Sequence, residues 1–464
     1  MSDGSTSHSL VSELRRLVAG LTPGDRLPSS RELIERYRVS PVTVSRAIAT
    51  LAAEGAVVSR PGSGTYVAPR TDHAGPTVAD TAWQTVALAD RAVDVRHLSG
   101  SYGAAPEGTI RLDGGYPHRS LQPTQALGAA LARAARRPDA WDRAPASGLS
   151  ALRSIFARFV GGSITPDDVL VTGGGQSALS IAFRAIAAPG SPVLVESPTY
   201  PGALAAARAA GLRPVPVPHD GDGIRPDLLA EAFAMTGARL LYCQPTYHNP
   251  TGAMLTAERR RQVAETVRAA GAFLLEDDFG RFLSHDRHPA APMILDDRDG
   301  STVYVTSLTK PAAPSLRIGA LVARGPVMER MRAIRKVDDF FVARPLQEAA
   351  VELVSSPAWD RHLRALATEL RERRLLLTGA LTGERPDWRI AGPPTGGLHI
   401  WVQLPAGADA LALAAAARRQ GVTVDAGSRF FATEPPAAFL RLSHAAAADR
   451  AELLEGAQRL TALT

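Results

Sequence analysis

The sequence predicts two folded units of different class: a small helical unit closed by a β-hairpin, and a large α/β unit with a mostly parallel sheet. Helical apolar stripes separated by capping signals fill residues 10–55 and give way to two short β-runs around PGSG. From about residue 108 onward, apolar strands alternate with amphipathic helices. A chain of 464 residues also exceeds one ordinary core, so two or three domains are expected.

In the first unit, Leu10, Leu14, Leu17, Val18 and Leu21 recur at helical spacing and form one apolar stripe. PGDRLP breaks that helix. Ser29 then caps a second helix, with Glu32 closing the capping box and Leu33, Ile34 and Tyr37 on its buried side. Ser40 caps a third, and Pro41 sits at its first position, where a missing N–H costs nothing. This helix runs through Val44, Ala47, Ile48 and Leu51 to Glu54, and Gly55 suits the position after its end. AVVSR and TYVAP flank the turn. Three short helices and a hairpin make the pattern of a winged helix-turn-helix. Thr43 and Arg46 lie near the start of the third helix, where a recognition helix meets base edges and phosphates. Nine Arg against six acidic residues over 1–70 give only modest charge support, and a helical protein–protein module also fits the capping signals.

LTPGDRLPSSREL, VSPVTVSRAIATLAAEG and PGSGTYVAP together resemble the DNA-binding domain of the GntR family of bacterial repressors, over nearly all of residues 10–69. The resemblance implies that Arg31, the segment from Ser40 through Thr43 to Arg46, and Gly64 of the wing face double-stranded operator DNA. Family members often carry arginine just after VS and again after TV. Here those positions are Pro41 and Ser45.

Residues 71–107 read as an interdomain linker, loop-like in TDHAGPT and GSYGAAPEGT, with a helical run around WQTVALADRAV. In the large unit the strands are DVLVTGG, SPVLVES, LRPVPVP, RLLYCQP, AFLLEDD, TVYVTSL and IGALVAR. In such sheets ligands gather at the carboxyl ends of strands. TGGGQSAL, ESPTYPG, YHNPTG, LEDDFG and TSLTK all fall there. The glycine run opens a helix and offers free N–H groups to a phosphate.

Lys310 stands out by composition. Of 52 basic residues only Lys310 and Lys336 are lysines. A guanidinium stays charged, whereas an ammonium whose pKa is lowered becomes a nucleophile toward a carbonyl. Ser307 and Arg317 flank Lys310 as phosphate ligands, while Lys336 lies in a charge-rich helical run with no strand end beside it. One cofactor accounts for a phosphate cradle, a carboxylate, an amide and a lysine together. Pyridoxal 5′-phosphate needs an amine, an acid for its ring nitrogen, and donors for its oxygens. Singly, ESPTYPG and HNPTG read equally well as turns, and Asp277 and Asp278 as solvated carboxylates. Their order and shared placement favour the cofactor. No metal is called for.

Residues 108–464 resemble fold-type I aminotransferases, and the whole chain resembles the MocR regulators, which fuse a GntR-type reader to that domain. The resemblance implies a smaller C-terminal subdomain over about 345–464. It gives Lys310 the internal aldimine, Asp277 the pyridine nitrogen, Asn249 the ring oxygen and Tyr200 the ring face. Gly175, Gln176, Ser307 and Arg317 hold the phosphate, and Arg441 in FLRLSH clamps a substrate α-carboxylate. Phe279 replaces a tyrosine common after EDD, and Arg143 replaces one that commonly reaches the neighbouring subunit's phosphate. Losing the Phe279 phenol should weaken turnover.

Three functions compete. The favoured one is a homodimeric regulator, head to tail with its readers swapped, that senses a small amino compound through an external aldimine freeing Lys310. The others are a working aminotransferase and a plain repressor whose large domain only dimerises. Ligand selectivity is expected from loops around 100–120 and 395–430. One cysteine, Cys243, excludes an internal disulfide and reads as a buried strand residue in a reducing compartment. The polar start MSDGSTSHS and the lack of a long apolar run point away from secretion and membranes, to the cytoplasm.

Overall fold

The structure, a computed structural model, describes residues 3–60, 63–68, 80–88, 106, 108–285, 289–392 and 394–463. The chain divides into two compact units, Met1–Ala92 and Val93–Thr464.

The first unit contains helices α1 (Asp3–Ala19), α2 (Ser30–Tyr37) and α3 (Pro41–Ala53), then strands β1 (Val57–Arg60) and β2 (Gly64–Val67). The capping box forms as the sequence dictates: Ser29 N donates to Glu32 at 2.7 Å, and Glu32 N donates back to Ser29 Oγ at 3.3 Å. Leu14, Leu33, Val44 and Leu51 are fully buried, each contributing about 1.5–3 kcal/mol of apolar transfer. Gly55 takes φ +69° after α3, a conformation that disfavours a Cβ. The antiparallel β1–β2 pair closes the wing, with Arg60 opposite Gly64. Of the expected linker, most residues lie outside the described ones; a helix, Ala82–Ala87, overlaps the WQTVALADRAV run.

The second unit is built on an eight-stranded sheet. Its strands are β4 (Val169–Thr172), β5 (Pro192–Ser197), β6 (Arg213–Asp220), β7 (Gly223–Ile224), β8 (Leu240–Cys243), β9 (Phe273–Asp277), β10 (Thr302–Ser307) and β11 (Gly319–Val322), preceded in the chain by β3 (Ile110–Arg111). The order is β4-β11-β10-β9-β8-β5-β6-β7. β5, β6, β8, β9 and β10 run parallel, while β11 is antiparallel to both β10 and β4. The carboxyl ends of β4, β5, β8, β9 and β10 therefore share one edge. Helices cover both faces, as continuous apolar strands such as VLVT and LLYC require.

A second sheet follows, with β12 (Arg389–Ile390), β13 (His399–Gln403), β15 (Asp425–Ala426) and β16 (Phe439–Ser443) in the order β12-β13-β16-β15. β14 (Val422–Thr423) pairs in parallel with β3. Ile110 and Leu112 thus join the apolar core of this smaller sheet, and the turn Asp113–Tyr116 is delivered to the edge where the large sheet's strands end. Among the described residues, no helix is long and apolar enough to cross a membrane.

Candidate cofactor site and nucleic-acid interface

Lys310 follows β10 and lines two adjoining cavities of ≈ 410 and ≈ 250 Å³. Its Nζ donates to Gly115 O and lies 3.6 Å from the centre of the Tyr116 ring. Burial pulls its pKa down from the ordinary lysine value to about 7; Arg441 and Arg317 push the same way, and Asp277 opposes them. Lys336 is exposed on the helix Pro326–Asp338.

Asp277 ends β9 with its carboxylate buried. Its Oδ2 accepts from Tyr242 Oη at 2.7 Å and from Gln244 Nε2 at 2.9 Å. Burial lifts its pKa to about 6, against the lowering effect of those two bonds. Asp278 is buried as well, held by Arg281 Nε at 2.6 Å and Tyr304 Oη at 2.9 Å. Neither is a solvated carboxylate. Asn249, in the loop after β8, accepts from Arg441 Nη1 at 3.0 Å. Tyr200 follows β5, and its Oη donates to Gln176 Oε1 at 3.2 Å; its ring lies so close to Gly202 that a Cβ there would sit 2.3 Å from it.

The phosphate-side residues converge on the start of the helix Gly175–Ile186. Its preceding residue, Gly174, has φ +91° and supplies no side-chain cap, which leaves first-turn N–H groups for another acceptor. Arg317 Nη2 donates to Gly173 O at 2.6 Å, its guanidinium lying against Gly174. Ser307 Oγ donates to Ile318 O at 3.1 Å and meets Thr309 Oγ1 at 2.8 Å. Gly175, Gln176, Tyr200, Asn249, Asp277, Ser307, Lys310 and Arg317 all line the smaller cavity, as does Phe279, whose ring also packs on the Leu283–Leu366–Leu370 cluster. Arg143 is exposed.

Arg441 lies on β16 and lines the larger cavity beside Lys310. Tyr116, His399, Gln244 and Tyr242 were not singled out from the sequence. Tyr116 belongs to a glycine-rich turn without a periodic signal, and the other three acquire meaning only from what crosses to them. His399 Nε2 lies 3.0 Å from Gly114 O, and burial keeps its ring neutral. Behind β5 and β8, Cys243 is buried with its thiol 3.4 Å from Glu196 Oε1. Glu196, His219 and His248 come within 4.8 Å of one another there. The two imidazoles stack 4.5 Å apart at 26°, so their in-plane lone pairs run side by side and do not converge.

In the first unit, Arg31, Ser40 and Arg46 are exposed. Arg31 Nε is 3.5 Å from Glu35. Thr43 is buried, with its hydroxyl 2.8 Å from Ser40 Oγ, so what it presents outward is the capped start of α3 and not a free hydroxyl. Gly64 has φ +122°, and a Cβ there would lie 2.7 Å from Arg26 Nε. Only glycine lets the wing close over that arginine.

Residues 113–460 match the family model "Aminotransferase class I and II", and residues 6–67 match "Bacterial regulatory proteins, gntR family". The HTH-type transcriptional regulator TauR of Rhodobacter capsulatus is 30% identical over 91% of this chain and 90% of its own. The HTH-type pyridoxine biosynthesis transcriptional regulator PdxR of Corynebacterium glutamicum is 29% identical over 84% and 81%. Among solved structures, LysN, the α-aminoadipate aminotransferase of Thermus thermophilus complexed with N-(5′-phosphopyridoxyl)-L-leucine, superposes with a TM-score of 0.76 at 28% identity, covering 82% of this chain and 97% of that one.

Proposed function

Because the chain belongs to the class I and II aminotransferase family and carries a gntR-family reader ahead of that domain, a MocR-type fusion, we propose that it is a transcription regulator whose large domain senses a primary amine at Lys310. The observation that carries this reading is a lone cavity lysine, its pKa drawn to about 7, facing a buried carboxylate and an uncapped helix start.

The donor set fits pyridoxal 5′-phosphate. The uncapped N–H groups at Gly175, with Gln176, Ser307 and Arg317, would take its phosphate; Asp277 would face its ring nitrogen, Asn249 its ring oxygen and Tyr200 its ring. When bound, that cofactor supplies an aldehyde for amines and an electron-withdrawing ring. The chain's own residues set the conditions. Burial and Arg441 keep a large share of Lys310 unprotonated near neutral pH, so Nζ is a competent nucleophile and a weak base. Tyr242 and Gln244 hold the Asp277 carboxylate in one orientation. Gly115 O and the Tyr116 ring, on the turn that follows β3, are the partners that would hold Nζ when it is not bonded to a ligand.

For an amine to switch DNA binding, it must stabilise one geometry of the body over another. A homodimer whose two readers change their half-site spacing is the arrangement that makes such a difference visible on DNA. A second reading, a working aminotransferase, is favoured by the retention of Lys310, Asp277 and Arg441 in one cavity system; Phe279 in place of a phenol weighs against it. Gel-shift titration with DNA upstream of the protein's own gene, with and without candidate amines, tests the proposal. Amine-dependent binding supports the regulator. Indifference to those sequences, with transamination of an amino acid, supports the enzyme.

A further inference from the structure

Asp425 and Arg441 are opposite residues of the antiparallel β15–β16 pair, so their side chains share one face by register. Both are buried. A guanidinium has five N–H donors and grips a carboxylate through two of them on one edge, either Nη1 with Nη2 or Nε with Nη2. Both edges need Nη2. In this structure both Nη2 hydrogens are committed, one to Gly114 O at 2.8 Å and one to Asp425 Oδ2. Nη1 donates to Asn249 Oδ1 at 3.0 Å, and Nε is buried without an acceptor. No two-point edge remains for a ligand.

Asp425 is well held in this position. Its Oδ2 also accepts from Gly114 N at 3.1 Å, and its Oδ1 accepts from Arg429 Nη1 at 2.6 Å. Burial alone would favour the neutral acid, but Arg441 and Arg429 outweigh it and keep the group ionised. An incoming carboxylate therefore has to displace a charged, three-donor partner from Arg441 or accept a single hydrogen bond.

We propose that Asp425 is a specificity-determining residue that occupies the place of a ligand carboxylate on Arg441, so that the site takes primary amines without a carboxylate beside the amine in preference to α-amino acids. This rests on the amine-sensing reading above and names its ligand class.

The test titrates the full chain, loaded with pyridoxal 5′-phosphate, with ethylamine and with L-alanine, following the visible spectrum and, independently, the heat of binding. Wild type is expected to bind L-alanine no better than ethylamine. In Asp425→Asn, and in Asp425→Ser run alongside, the affinity for L-alanine relative to ethylamine should gain about tenfold or more, the worth of one recovered charge-assisted hydrogen bond. That gain should vanish when Arg441→Met is added. A wild-type preference for L-alanine over ethylamine overturns the proposal without reference to any variant. So does an unchanged ratio in the Asp425 variants, or a gain that survives Arg441→Met. If neither amine alters the spectrum or heat of any form, the amine-sensing reading falls and takes this proposal with it, a result distinct from binding without discrimination.

Discussion

With a pKa of about 7, Lys310 is about half unprotonated at pH 7, against about four in ten thousand for a lysine at the ordinary value of ~10.4. The neutral amine is the reactive form, so at that pH Lys310 should react with an aldehyde roughly a thousandfold faster than a lysine at that ordinary value, on this count alone. Two lysines in the whole chain make the measurement clean. Cofactor-free protein is exposed briefly to pyridoxal 5′-phosphate across a pH series, reduced with borohydride, and mapped by peptide mass; the α-amino group serves as an internal reference. Labelling at Lys310 should rise with a midpoint near pH 7. Lys310→Ala should abolish that label and Lys336→Ala should not. Arg441→Met removes a charge that disfavours the ammonium, so the midpoint should move up; Asp277→Asn removes one that favours it, so the midpoint should move down. Equal labelling of the two lysines, or a Lys310 midpoint near the ordinary lysine value of ~10.4, would refute the reasoning.

Asp277→Asn should also weaken retention of pyridoxal 5′-phosphate about tenfold to hundredfold, the worth of a hydrogen bond to a charged group, measured by equilibrium dialysis. Burial raises the folded pKa of Glu196 to about 8, Glu276 to about 7 and Asp277 to about 6. Each then binds protons more tightly folded than unfolded, so their contribution to stability is fully present below the unfolded value and is lost as pH rises through the folded one. In urea unfolding of the cofactor-free chain, the stability of wild type relative to Glu196→Gln should fall from about pH 4 toward pH 8. Arg46→Ala should weaken DNA binding across all sequences and reduce the salt dependence by about one phosphate contact; a loss confined to one base position would assign Arg46 to base readout instead.

The strand-end motifs were legible because each is local: a glycine run, a proline turn or a lone lysine stands out in a few residues. Asp277 could be nominated from LEDDFG, but the bonds from Tyr242 and Gln244 that hold it come from β8 and the loop after it, 35 and 33 positions away. The bland reading of Asp277 and Asp278 as solvated failed because strand alternation says which face a residue takes, not what covers that face. Thr43 was nominated from its place on a recognition helix. The same nearness to Ser40 that makes a cap turned its hydroxyl inward.

What the sequence determined by itself was periodic or adjacent: three capped helices and a hairpin, an alternating α/β chain, and a single lysine placed at a strand end. The tertiary structure decided what depends on long-range register. It returned β3 to β14, set Gly115 and Tyr116 beside Lys310, and paired Asp425 with Arg441 across two strands. Neighbours 16 and 327 positions from Arg441 fill its hydrogen-bonding edge. A local pattern carries no information about partners that distant, because hydrogen bonds and charge pairs act over a few ångströms of space whatever the separation along the chain.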